Sequence, residues 1–99
     1  MVAMRPTKRT PTHPGEILLE EFLTPLGVSQ VELARHIGAS VQRVNEIVLG
    51  KRGVSAETAW LLSYSLGTTP EFWTTLQTNY DLTTSRPRRT VSRLKKSRS

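Results

Sequence analysis

The sequence predicts an all-α fold of five short helices arranged around a helix-turn-helix. Three observations carry that prediction. Ser29, Ser40, Ser55 and Thr69 each precede an apolar pattern of helical period, and a hydroxyl oxygen there satisfies an orphan N–H of the first turn. Gly27, Gly38, Gly50 and Gly67 each follow such a pattern, where helices commonly end on glycine. No segment shows the alternation of a strand, and no internal repeat is present.

The first helix is expected from Pro14 to about Leu23. Proline suits the first turn, where its missing N–H costs nothing, and Glu16 sits near the positive end of the helix dipole. Ile17, Leu18, Phe22 and Leu26 are its candidate core positions, Glu20 and Glu21 face out, and Pro25 is expected to stop it. The second helix spans Gln30 to Ile37, with Ser29 and Glu32 at capping-box spacing. The third spans Val41 to Leu49 and buries Val44, Ile47 and Val48. The fourth spans Ala56 to Leu66, with Ala59, Leu62 and Leu66 inward. The fifth runs from Pro70 to about Asp81, capped by Thr69, with Phe72, Trp73, Leu76 and Tyr80 on an apolar side.

Gly38-Ala39-Ser40 separates the second and third helices. A turn of three or four residues containing glycine sets two helices nearly perpendicular. Ala34 is small where the third helix must cross the second, and Leu33, Ile37, Val44 and Ile47 lock the pair onto a core. In this motif the second of the two helices enters the major groove of DNA by its N-terminal end.

The exposed candidates there are Ser40, Val41, Gln42, Arg43, Asn45 and Glu46. Gln42 matches adenine N6 and N7, Arg43 matches guanine O6 and N7 or a phosphate, Glu46 accepts from cytosine N4, and Val41 meets a thymine methyl. The plainer alternative for Arg43 and Glu46 is an i,i+3 surface pair, worth about 0.2–0.5 kcal/mol. Ser29 and Gln30, at a helix N-terminus, suit phosphate, while Lys51 and Arg52 either grip the DNA backbone or complement the dipole of the third helix.

Length and charge bound the function. Ninety-nine residues allow one domain. The absence of cysteine rules out disulfides and Cys-based zinc sites. No apolar run is long enough for a membrane span, and the N-terminus lacks a secretion signal, so a cytoplasmic protein without membrane association is expected.

The net charge of +6 is unevenly placed. Residues 1–13 hold three bases and no acid. Residues 14–82 hold four bases against eight acids, and residues 83–99 hold seven bases and no acid. The domain reading is therefore a flexible basic arm (1–13), a helix-turn-helix body (14–82) and a basic tail (83–99) too poor in apolar residues to pack. The tail either follows nucleic-acid phosphates or keeps the chain soluble. His13 and His36 have no partner at ligand spacing, so no metal or cofactor is expected, and no nucleophile–base arrangement suggests an enzyme.

Several segments resemble the HigA family of antitoxins, which are Xre-type helix-turn-helix proteins with a lambda-repressor-like fold. They are His13-Pro14-Gly15-Glu16-Ile17-Leu18, Leu26-Gly27-Val28-Ser29-Gln30, Asn45 to Arg52, Thr69-Pro70-Glu71-Phe72-Trp73 and Leu76 to Leu82. The resemblance covers about residues 13–82, and Thr69 to Leu82 is its most family-specific part.

The resemblance implies a bacterial homodimer that binds an operator in its own promoter and neutralises a HigB-like mRNA-cleaving toxin. It also implies that the fifth helix contributes to the dimer interface, with Trp73, Leu76 and Tyr80 as participants. The residues themselves also suit a stand-alone Xre-type regulator without a toxin, or an interaction module that no longer binds DNA.

Overall fold

The structure, a computed structural model, describes residues 12–96. Residues 1–11 of the expected N-terminal arm and 97–99 of the tail lie outside the described residues. Five helical segments follow one another. The first, α1, begins as α-helix at Pro14–Ile17, widens to a π-helix over Leu18–Leu23 and closes as α-helix over Thr24–Leu26. It is followed by α2 (Gln30–Ile37), α3 (Val41–Val48), α4 (Ala56–Leu66) and α5 (Pro70–Thr84), and no strand occurs among the described residues.

Local chemistry sets the boundaries. Ser29, Ser40, Ser55 and Thr69 each accept a hydrogen bond from the backbone N–H three residues on, and Ser29 with Glu32 completes the capping box. His13 caps α1, its Nδ1 accepting from the Gly15 N–H at 2.9 Å.

Pro25 does not stop α1, contrary to expectation. An interior proline clashes with the carbonyl four residues back and leaves it without a donor. Here the preceding turn is already wide, with the Thr24 N–H donating to the Leu19 carbonyl five residues back, and such a π-turn is where a helix absorbs an irregularity. The wide turn also rotates the buried face by one residue. Leu18 and Leu23, five apart, both lie in the core, whereas Leu26 is 59% exposed, which corrects its assignment as a core position.

The core joins Leu18 and Leu23 of α1, Leu33 and Ala34 of α2, Val44 and Ile47 of α3, Val54 of the loop before α4, Ala59 and Leu62 of α4, and Trp73 of α5. Phe22 is half-buried and packs against Trp73 with ring centroids 5.4 Å apart. The Trp73 Nε1–H donates to Thr68 Oγ1 at 2.7 Å, so its one polar atom is satisfied inside the core. Trp60 and Tyr64, one turn apart on the outer face of α4, remain exposed, with rings 5.7 Å apart.

Two close approaches position α3. At the α2–α3 turn Gly38 takes φ +75°, and the Ala39 N–H closes on the Ala34 carbonyl at 2.9 Å. Ala34 is fully buried beneath the crossing. At the other side Gly15 of α1 lies directly on the α3 backbone. A Cβ there would overlap the Ile47 carbonyl oxygen and sit 2.6 Å from its carbon.

Candidate nucleic-acid interface

The residues singled out for contact with DNA fall at the start of α2, along α3 and just after it. Ser29 and Gln30 start α2, Ser40 caps α3, Val41, Gln42, Arg43, Asn45 and Glu46 lie along α3, and Lys51 and Arg52 follow it. Val44 and Ile47 turn into the core, which leaves the opposite side of α3 free. Val41, Gln42, Asn45, Lys51 and Arg52 are exposed, while Arg43 and Glu46 are partly covered.

Hydrogen bonds preset this surface. The Asn45 Nδ2–H donates to Gln30 Oε1 at 3.1 Å, tying α3 to the start of α2. Glu46 receives Gln42 Nε2–H at 3.1 Å and Arg52 Nε–H at 2.9 Å, and a second Arg52 nitrogen lies 2.8 Å from the same Glu46 oxygen. The Arg52 hydrogen bond first, and the Gln42 bond next, hold the Glu46 carboxyl below its usual range. The chain turns to bring Arg52 back, with the Lys51 and Arg52 N–H groups both donating to the Glu46 carbonyl.

Arg43 does not pair with Glu46. Its guanidinium donates instead to Thr58 Oγ1 and lies 3.9 Å from Glu57. Thr58, buried in the first turn of α4, also receives Ser55 Oγ–H at 3.2 Å. Thr58 and Glu57 are therefore part of the site, although neither was singled out from the sequence. The only trace in the sequence is that Ser55 caps a helix whose first turn must face some neighbour.

A third residue without a sequence signal is Gln77 of α5. Its Oε1 accepts the Val54 N–H at 2.7 Å and its Nε2–H donates to Asp81 at 2.9 Å. It thereby fastens the loop that carries Lys51 and Arg52.

The three residues expected at a dimer interface differ in exposure. Trp73 is 0% exposed within a single chain, so it belongs to the core and has no surface to offer a second copy. Leu76 and Tyr80 are half-buried, and the Tyr80 ring meets the His13 ring edge-on at 4.8 Å. Burial holds His13 below the usual histidine range, with the charge of Asp81 opposing part of that shift. No group of three or more His, Cys, Asp or Glu side chains among the described residues is placed to hold a metal ion. No described helix is long and apolar enough to cross a membrane.

Comparison with known proteins gives consistent results. A helix-turn-helix family model matches residues 19–73. Antitoxin HigA-1 of Vibrio cholerae is 42% identical over 86 residues, which are 86% of this chain and 80% of that protein. Virulence-associated protein I of Dichelobacter nodosus is 47% identical over 70 residues, 71% of this chain, and the chain spans 65% of that relative's length. Among solved structures, the antitoxin HigA of Pseudomonas aeruginosa with the higBA promoter superposes with a TM-score of 0.74 at 44% identity, covering 76% of this chain and 82% of the other.

Proposed function

The chain belongs to the Xre-type helix-turn-helix family that contains the HigA antitoxins, and from that premise we propose that it is a dimeric antitoxin that represses its own promoter and neutralises a HigB-like toxin. The observation that supports the DNA-binding half is the outward side of α3. Val41, Gln42 and Asn45 stand exposed there, with Gln30 and Arg52 held beside them by side-chain hydrogen bonds. Gln42 and Arg43 read bases, while Ser29, Gln30, Lys51 and Arg52 hold phosphates. A second copy joined through α5, with Leu76 and Tyr80 contributing the surface they retain, presents two such helices to successive major grooves.

The antitoxin half is supported by the reach of the similarity. The match to antitoxin HigA-1 covers 86 residues, well beyond the helix-turn-helix, and that protein is named for an antitoxin role. A catalytic role has no place in this reading, and its setting is the bacterial cytoplasm.

The test is footprinting on the promoter of the chain's own gene, with and without the product of the adjacent reading frame. Protection of a palindrome with half-sites about one helical turn (roughly 34 Å) apart, together with growth rescue when the two genes are co-expressed, is the expected result. Operator protection without rescue leaves a stand-alone regulator. No protection at low salt overturns DNA binding.

A further inference from the structure

We propose that residues 85–96 are a minor-groove arm, in which Arg86 and Arg88 enter an A·T-rich minor groove flanking the half-site that α3 faces. This rests on the DNA-binding reading above and adds to it a second site, with its own ligand chemistry.

Composition is the first ground. Residues 85–96 contain Arg86, Arg88, Arg89, Arg93, Lys95 and Lys96, and no acid. All twelve are exposed, and neither ion pair among the described residues uses any of these bases. The cationic groups are thus unneutralised and free to meet an anionic partner.

The order of residues is the second ground. The three bases nearest the body are all arginine, and Pro87 stands between the first two. Proline fixes its own φ near −65° and biases the residue before it toward extended backbone. Pro87 therefore keeps Arg86 and Arg88 a short, nearly fixed distance apart with fewer backbone states to lose on binding, and the exposed chain bends at Arg88 and Arg89. Following phosphates needs only charge, and lysine would serve for that. A narrow A·T minor groove concentrates negative potential and favours inserted arginine, whose guanidinium is planar and more weakly hydrated than an ammonium.

Position is the third ground. The last turns of α5 lie against the segment that follows α3. Gln77 holds the Val54 N–H, Tyr80 meets His13, and the His13 ring lies 3.8 Å from a Cβ built on Gly50. The arm therefore leaves the body beside the loop that carries Lys51 and Arg52, at the edge of the DNA-facing surface. From Tyr80 to the end of α5 is about 6 Å of helix, and twelve extended residues reach about 40 Å. Half a turn of duplex, the step from major to adjacent minor groove, is about 17 Å.

The test uses the full chain and an Arg86→Ala/Arg88→Ala double variant, titrated against promoter fragments with two kinds of flank. In one, adenines outside the half-sites are replaced by 2,6-diaminopurine, which adds an amino group to the minor groove and leaves the major-groove acceptor N7 and donor N6 in place. The expected result is that the full chain loses about tenfold in affinity on the modified flanks, while the double variant binds both fragments equally and more weakly. Two results overturn the arm. One is equal binding by the two proteins. The other is a full chain that binds both fragments equally, with a double variant weakened to the same extent on both and a flatter salt dependence, which is phosphate tracking alone. If neither protein protects guanine N7 in the half-sites, the DNA-binding reading fails and the arm fails with it.

Discussion

Replacing Gly15 with alanine probes the contact that sets the height of α3. Gly15 has no left-handed backbone angle, so an alanine there gains about 0.5–1 kcal/mol of helix propensity if nothing else changes. The contact opposes that gain. The new Cβ overlaps the Ile47 carbonyl oxygen and lies 2.6 Å from the Ile47 carbon and 3.0 Å from Val48 Cα. Ordinary carbon contacts are about 3.5–4.0 Å and the carbonyl oxygen lies nearer still, so α1 and α3 must part by at least about 1 Å, and no obstacle is a side chain that can rotate away.

A gap of that size forfeits about a quarter to a half of each contact energy across it. Leu18 and Ile47 each contribute about 1.5–3 kcal/mol by burial. With the usual strain of overpacking added and the propensity gain subtracted, Gly15→Ala should destabilise the fold by about 2–4 kcal/mol. Urea unfolding followed by far-UV circular dichroism measures this as a lower midpoint, and a thermal scan as a melting temperature lower by about 10 °C or more. An unchanged or raised midpoint refutes the reasoning, because it means that α1 and α3 are not in backbone contact.

Three further outcomes are expected. His13 caps α1 only while Nδ1 is unprotonated, and burial lowers its folded-state pKa. The unfolded chain therefore takes up the proton more readily, and this contribution to stability is full above about pH 6.5 and is lost as pH falls toward the folded value. His13→Asn, a cap that does not titrate, should flatten the urea midpoint between pH 7 and pH 5. Arg43→Ala should weaken operator binding by about 1–3 kcal/mol in a gel-shift titration if Arg43 reads a guanine, and Thr58→Val should weaken it less by releasing Arg43 from its hydrogen bond; unchanged affinity in Arg43→Ala removes that role. Ser29→Ala, which breaks the α2 capping box, should cost about 1 kcal/mol in unfolding experiments, and a loss below a few tenths would show that Glu32 and solvent suffice as a cap.

What the sequence discloses follows the range of each interaction. Caps act over three residues, so Ser29 and Ser55 with Gly38 and Gly67 bound α2 and α4 at the residues observed. The helix-turn-helix is legible for the same reason, since Ala34 and Gly38 lie within one turn of each other. The wide turn in α1 is not legible, because Pro25 reads from the sequence as a stop, and an ideal 3.6-residue period assigns Leu26 to the core where the structure has Leu23. Trp73 reads most simply as a core residue from the sequence pattern and as an interface residue from the family resemblance, and Phe22 and Thr68 around it give it a place in the core. The Arg43 contacts with Thr58 and Glu57 span some fifteen residues, and no local pattern marks them.

The two tryptophans, one sealed in the core and one half exposed beside Tyr64, give the protein an internal optical reporter with two channels. A collisional quencher such as iodide reaches Trp60 in the folded chain and leaves Trp73 dark to it, so the quenched and unquenched fractions of emission separate the outer face of α4 from the centre of the fold. A partner that covers α4 should protect the accessible fraction alone, while unfolding should open the protected one, and the two events are then told apart without a label.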